Sequence, residues 1–64
     1  MRRLPLYSDD QIRDALHKAV RETGWRETSP DTVSVAAFWL AGYQTDDASL
    51  DHAEDAIRAY QGRL

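Results

Sequence analysis

Three isolated glycines, Gly24, Gly42 and Gly62, cut this chain into three stretches, and each stretch opens on residues that start helices. The punctuation predicts three helices at about 8–23, 30–43 and 47–61, and leaves no convincing strand. The first opens on Ser8-Asp9-Asp10-Gln11, a capping box in which Ser8 and Gln11 satisfy each other's backbone N–H groups. Tyr7 and Ile12 stand where a hydrophobic staple closes, and Asp9 and Asp10 suit the positive end of the helix dipole. Ile12, Leu16, Ala19 and Val20 then form one helical stripe. Gly24 is expected as a left-handed C-cap, with Trp25 folded back onto Val20 in a Schellman arrangement.

The second stretch begins Ser29-Pro30-Asp31, with Ser29 as N-cap and proline at the first helical position, where its missing N–H costs nothing. Between Val33 and Tyr43 the only hydrophilic residue is Ser34. A helix that is apolar nearly all round belongs in the middle of a domain. The third stretch follows Gln44-Thr45-Asp46-Asp47, where Thr45 or Asp47 is expected to cap. Its stripe is Leu50, Ala53, Ile57, Tyr60 and Leu64.

Connections of four to five residues make neighbouring helices antiparallel. The expected fold is therefore all-α, a small three-helix bundle in one domain spanning 1–64, with Leu4-Pro5-Leu6 as an extended N-terminal strap. Its expected core is Ile12, Leu16, Val20, Trp25, Val33, Ala37, Leu40, Leu50, Ile57 and Tyr60.

Length bounds the function. A chain of 64 residues buries only about 60% of its unfolded surface, leaving no room for a cleft between domains or a nucleotide-binding βαβ pair. The absence of cysteine excludes disulfides and thiolate zinc sites. Arg2 and Arg3 are followed by only a short apolar stretch, whereas a signal peptide needs roughly 7–15 apolar residues and a membrane span about 20. A cytoplasmic location is the expectation. Seven arginines among the eight basic residues, with nine alanines, suit a GC-rich bacterial or phage genome.

Charge is unevenly spread over a net of −3. Residues 1–26 carry a net of +2 and residues 27–64 a net of −5, and five acids fall between 46 and 55 with no Lys or Arg among them. Asp47, Asp51 and Asp55 stand one turn apart on the outer side of the third helix. The plainer reading is a solvated helix start whose early acids the dipole favours; the sharper one is an acidic surface that docks a basic partner protein. On the second helix, Val35 and Phe38 lie away from the packing face and Trp39 flanks it. Either the Leu4–Leu6 strap covers Val35 and Phe38, or that side is a dimer or partner interface.

Catalytic raw material is scarce. His17 and His52 lie on different helices and both face outward, Lys18 is the only lysine, and Ser8 and Ser29 serve as caps. His52 with Asp55 makes a two-ligand pair, whereas structural zinc takes four. No metal, cofactor or small-molecule substrate is expected. The reading that follows is a non-enzymatic, acidic protein-interaction module, a bacterial or phage accessory protein that modulates a larger partner, through Val35, Phe38, Trp39, Asp47, Asp51 and Asp55. A homodimer is a second way to use the same surface. The alternative is a helix-turn-helix-like DNA binder, but the carboxylates Asp47 and Asp51 would then open the recognition helix, where phosphates repel them.

Overall fold

A computed structural model describes residues 5–42 and 44–64, and all regular structure among them is helical. Helix α1 spans Asp9–Thr23, α2 spans Pro30–Leu40 and α3 spans Asp47–Gly62. The all-α three-helix fold stands as the sequence indicated. Leu4 of the strap and Tyr43 of the second apolar run lie outside the described residues.

Helix α1 is bounded by the signals read from its sequence. Gln11 N–H donates to Ser8 Oγ at 3.2 Å, and Ser8 N–H donates to Gln11 Oε1 at 2.9 Å, so both legs of the capping box form. At the other end Gly24 adopts φ 72°, and its N–H reaches Val20 O at 2.8 Å. This single bond is the αL cap and not the Schellman pair. The next N–H, that of Trp25, is taken by Thr23 Oγ1 at 3.2 Å. The chain therefore does not fold Trp25 back, and its side chain stays 62% exposed instead of joining the core.

Helix α2 ends at Leu40, three residues earlier than its apolar run. Gly42 takes φ 66°, a left-handed turn that a helix cannot continue through, and its N–H bonds Trp39 O at 3.2 Å. Ser29 occupies the N-cap position without a side-chain bond, so Pro30 and the backbone define that start. Helix α3 is capped by Asp46, whose Oδ2 accepts from Ser49 N–H at 3.0 Å, and not by Thr45 or Asp47. Its last residue is Gly62, so Leu64 falls beyond the stripe and is 81% exposed.

The layout is set by α2, which packs against both α1 and α3 while those two touch only lightly. The core is mostly alanine around a few larger side chains. Ile12, Leu16, Val33 and Ile57 are buried with Ala15, Ala19, Ala36, Ala37, Ala41 and Ala53. Alanine at these contacts lets helix axes approach closely and limits how much apolar surface each residue removes from water. Val35, Trp39, Leu40, Leu50 and Tyr60 pack against this centre and remain partly exposed, as does Tyr7. Among the described residues Thr32 is the fully buried polar side chain, and its hydroxyl meets Thr23 Oγ1 at 3.1 Å. That bond ties the start of α2 to the end of α1 and satisfies a group that is costly to bury alone. Two bonds bind the end of α3 to the rest of the chain. Gln61 Nε2 donates to Glu27 O at 2.8 Å, and Arg63 Nη2 donates to Asp9 Oδ1 at 2.6 Å.

Candidate functional site

Helical geometry turns each residue about 100° from the last, which sorts α2 into an inner and an outer side. Thr32, Val33, Ala36 and Ala37 are buried on the inner side. Asp31, Ser34, Val35 and Phe38 fall on the outer side, with Trp39 at its border toward α1. Phe38 is half-buried and meets the Trp39 ring edge-on, with centroids 5.5 Å apart. Lys18 of α1 places Nζ 3.7 Å from the Trp39 ring centre, a cation–π contact across the α1–α2 seam. Gln11, Asp14, Ala15 and Leu40 complete an open groove of about 320 Å³ around that contact.

The same sorting on α3 buries Ser49, Ala53 and Ile57 and sends Asp47, Asp51 and Asp55 outward, all exposed. None of the three forms an ion pair with another described residue. Their neighbours on that arc are Ala48, Ala59 and the exposed cation Arg58, three residues beyond Asp55. Ser34 Oγ donates to Glu54 Oε1 at 3.4 Å, which fixes how the outer sides of α2 and α3 meet. Phe38 lies one turn beyond Ser34 on α2, and Asp51 lies three residues before Glu54 on α3. Phe38 and Asp51 thus lie toward this seam, whereas Trp39 faces the α1 edge of α2.

The cations of α1 are occupied differently. Arg13 pairs with Asp10, and His17 Nε2 stands 4.0 Å from Glu27 Oε1. With Lys18 over Trp39, three basic groups of α1 are engaged with partners within the chain. A second open groove, about 350 Å³, is lined by His17, Val20, Arg21 and Glu27 near the end of α1.

His17 and His52 are far apart in role. His52 Nε2 donates to Pro5 O at 2.5 Å, and its ring lies 5.6 Å from that of Tyr7. Burial pushes the Tyr7 hydroxyl up from its ordinary pKa of 10.0, since the phenolate is the form that loses hydration. Among the described residues no group of three or more His, Asp or Glu side chains is arranged to hold a metal ion. No described helix is long and apolar enough to cross a membrane.

Phe38 lies on the outer side of α2, Val35 and Trp39 pack in part against the core with Trp39 turned toward α1, and the three aspartates are exposed on α3. Sequence reading missed two features of this surface. Trp25 was assigned to the core by the expected cap, and only the cap's actual bonding places it in water. The strap over Phe38 is one of the two alternatives the sequence leaves open, and its described residue Pro5 instead contacts His52 of α3, a contact that no periodicity or motif signals. No family model, curated protein or solved structure matches the chain.

Proposed function

We propose that this chain is a non-enzymatic protein-interaction module that binds a basic partner protein across the α2–α3 seam. The partner sets an apolar or aromatic side chain against Val35, Phe38 and Trp39 and its cations against Asp47, Asp51 and Asp55. The observation that carries this reading is the exposed acid column. The helix dipole extends only through the first turn, so it favours Asp47 and does nothing for Asp51 or Asp55. Aspartate is a poor helix former, and like charges four residues apart repel. Three such residues in register, with no ion pair to another described residue, lower the stability of α3 and gain a return only when a cationic surface arrives. A bacterial or phage accessory protein that modulates a larger one fits this size and charge.

Nucleic acid is the weaker alternative, because α3 opens on carboxylates and, of the cations near α1, Arg13 and Lys18 are engaged within the chain while Arg21 and Arg26 are not. Two measurements test the proposal. Affinity isolation from the native host compares the wild type with the Asp47→Asn, Asp51→Asn, Asp55→Asn variant at about 0.1 M and about 0.5 M salt, where screening lengths shrink below one helix diameter. The proposal expects a partner held by the wild type at low salt and lost in the variant. A partner retained equally by both, or retention of the wild type on heparin at about 0.15 M salt, would overturn it.

A further inference from the structure

Helix α1 carries a strip of alternating charge. Asp14, Lys18 and Glu22 follow one another at four-residue spacing, and all three are exposed. Neither carboxylate forms an ion pair with another described residue. Lys18 instead reaches across to α2, with Nζ 3.7 Å from the Trp39 ring centre. The open groove around that contact joins the Trp39 ring, the apolar surface of Ala15 and Leu40, and the Asp14 carboxylate.

We infer that this groove receives an arginine side chain of the partner, and that Lys18 holds the guanidinium's place until the partner binds. The inference rests on the basic partner proposed above and extends its footprint from the α2–α3 seam to the α1 edge of α2. The contact within the chain shows the chemistry of the site, since the Trp39 ring already takes a cation on its face. An ammonium on a flexible, exposed stem is strongly hydrated and holds such a place weakly. A guanidinium is planar and more weakly hydrated. It stacks on an indole while offering paired N–H donors to a carboxylate. Asp14 supplies that carboxylate, one helical turn before Lys18. Ala15 and Leu40 supply apolar surface for the methylenes of the arginine stem. Lys18, once displaced from the ring, has Glu22 four residues on, which leaves Asp14 to the guanidinium.

The test is an NMR titration of the chain with acetyl-Gly-Arg-Gly-amide and with its citrulline analogue, which keeps the shape and lacks the charge. The ring resonances of Trp39 report the groove. Those of Trp25, which is 62% exposed and does not line the groove, report unspecific stacking. The arginine peptide is expected to shift Trp39 saturably, and the citrulline peptide is not. Lys18→Gln clears the ring and should lower the dissociation constant about two- to fivefold, the worth of an exposed cation–π contact. Arg21→Gln removes the same charge three residues on without uncovering the ring, and should leave the constant nearly unchanged. Asp14→Asn should raise it by about the factor that Lys18→Gln lowers it. All three positions are exposed, so the fold tolerates these changes. The Asp47→Asn, Asp51→Asn, Asp55→Asn variant should still bind the arginine peptide, which separates failure of the groove from failure of the acid column. No saturable shift of Trp39, an equal shift of Trp25, an equal response to citrulline, or equal gains from Lys18→Gln and Arg21→Gln would overturn the inference.

Discussion

Helices α1 and α3 are nearly equal in length and both are amphipathic, yet they treat their surface charges in opposite ways. Along α1 part of the outward charge meets partners inside the chain: Arg13 pairs with Asp10, Lys18 lies over the Trp39 ring, and His17 stands 4.0 Å from Glu27. Along α3 the outward column Asp47, Asp51, Asp55 finds no ion pair among the described residues, while Glu54 at its edge bonds Ser34. Helix α1 thus compensates part of its surface charge within the chain, and the acid column of α3 does not. The proposed interface uses that less compensated charge, on α3 and the neighbouring side of α2.

The largest effects should come from the core, where the two helices ought to behave alike. Leu16 on α1 and Ile57 on α3 are both fully buried against α2. Leu16→Ala and Ile57→Ala should each cost about 2–5 kcal/mol in urea unfolding, enough to unfold most of a domain this small. A cost below about 1 kcal/mol for Ile57→Ala alone would mean that α3 is loosely held. Its exposed acids would then reflect weak packing and not selection for a partner.

Caps should give the next largest effects, and here the three helices separate. Ser8→Ala removes one leg of the capping box and leaves the other without its geometry, for about 1 kcal/mol. Asp46→Ala should cost a similar amount, since Oδ2 holds Ser49 N–H at the head of α3. Ser29→Ala should change stability by less than about 0.5 kcal/mol, because Ser29 makes no side-chain cap bond. Thermal unfolding of the three variants ranks them. A Ser29→Ala loss as large as that of Ser8→Ala would show that the start of α2 relies on its hydroxyl after all.

The ends of α1 were legible because each rests on bonds between residues a few positions apart. Ser8 and Gln11 close their box, and Gly24 takes the left-handed turn, with no help from the rest of the fold. Features that depend on which of two local bonds wins were less legible. Trp25 looked like core as long as its N–H was assigned to the helix, and the Thr23 hydroxyl takes that N–H instead. Helix α2 looked longer because Gly42 follows an unbroken apolar run, and composition does not show where a glycine turns left-handed. The expected core leaned on large side chains, whereas burial is shared with Ala15, Ala19, Ala36 and Ala53, whose small size marks close helix contacts only once the helices are placed. The exposure of Asp47, Asp51 and Asp55 was legible from helical spacing, whereas the partial packing of Val35 and Trp39 against the core was not, because it depends on where α1 sits.

The smallest expected effects carry the sharpest test of the contrast, because their signs should differ. On α1, Asp10→Asn removes both a favourable dipole interaction and the partner of Arg13, so it should destabilise slightly. On α3, Asp51→Asn relieves repulsion from Asp47 on one side and Asp55 on the other and disturbs no described bond. It should therefore stabilise, by a few tenths of a kcal/mol at low salt. Both effects should shrink as salt rises from about 0.05 M to about 0.5 M, since all the charges involved are exposed and the screening length falls below the spacing of a helix turn. The measurement is urea unfolding of the two variants and the wild type at both salts. A stabilising Asp51→Asn would show that the column does not serve the fold, which the proposed interface requires. If Asp51→Asn instead destabilised at low salt, the column would be a structural feature of α3, and the acidic side of the proposed interface would lose its support.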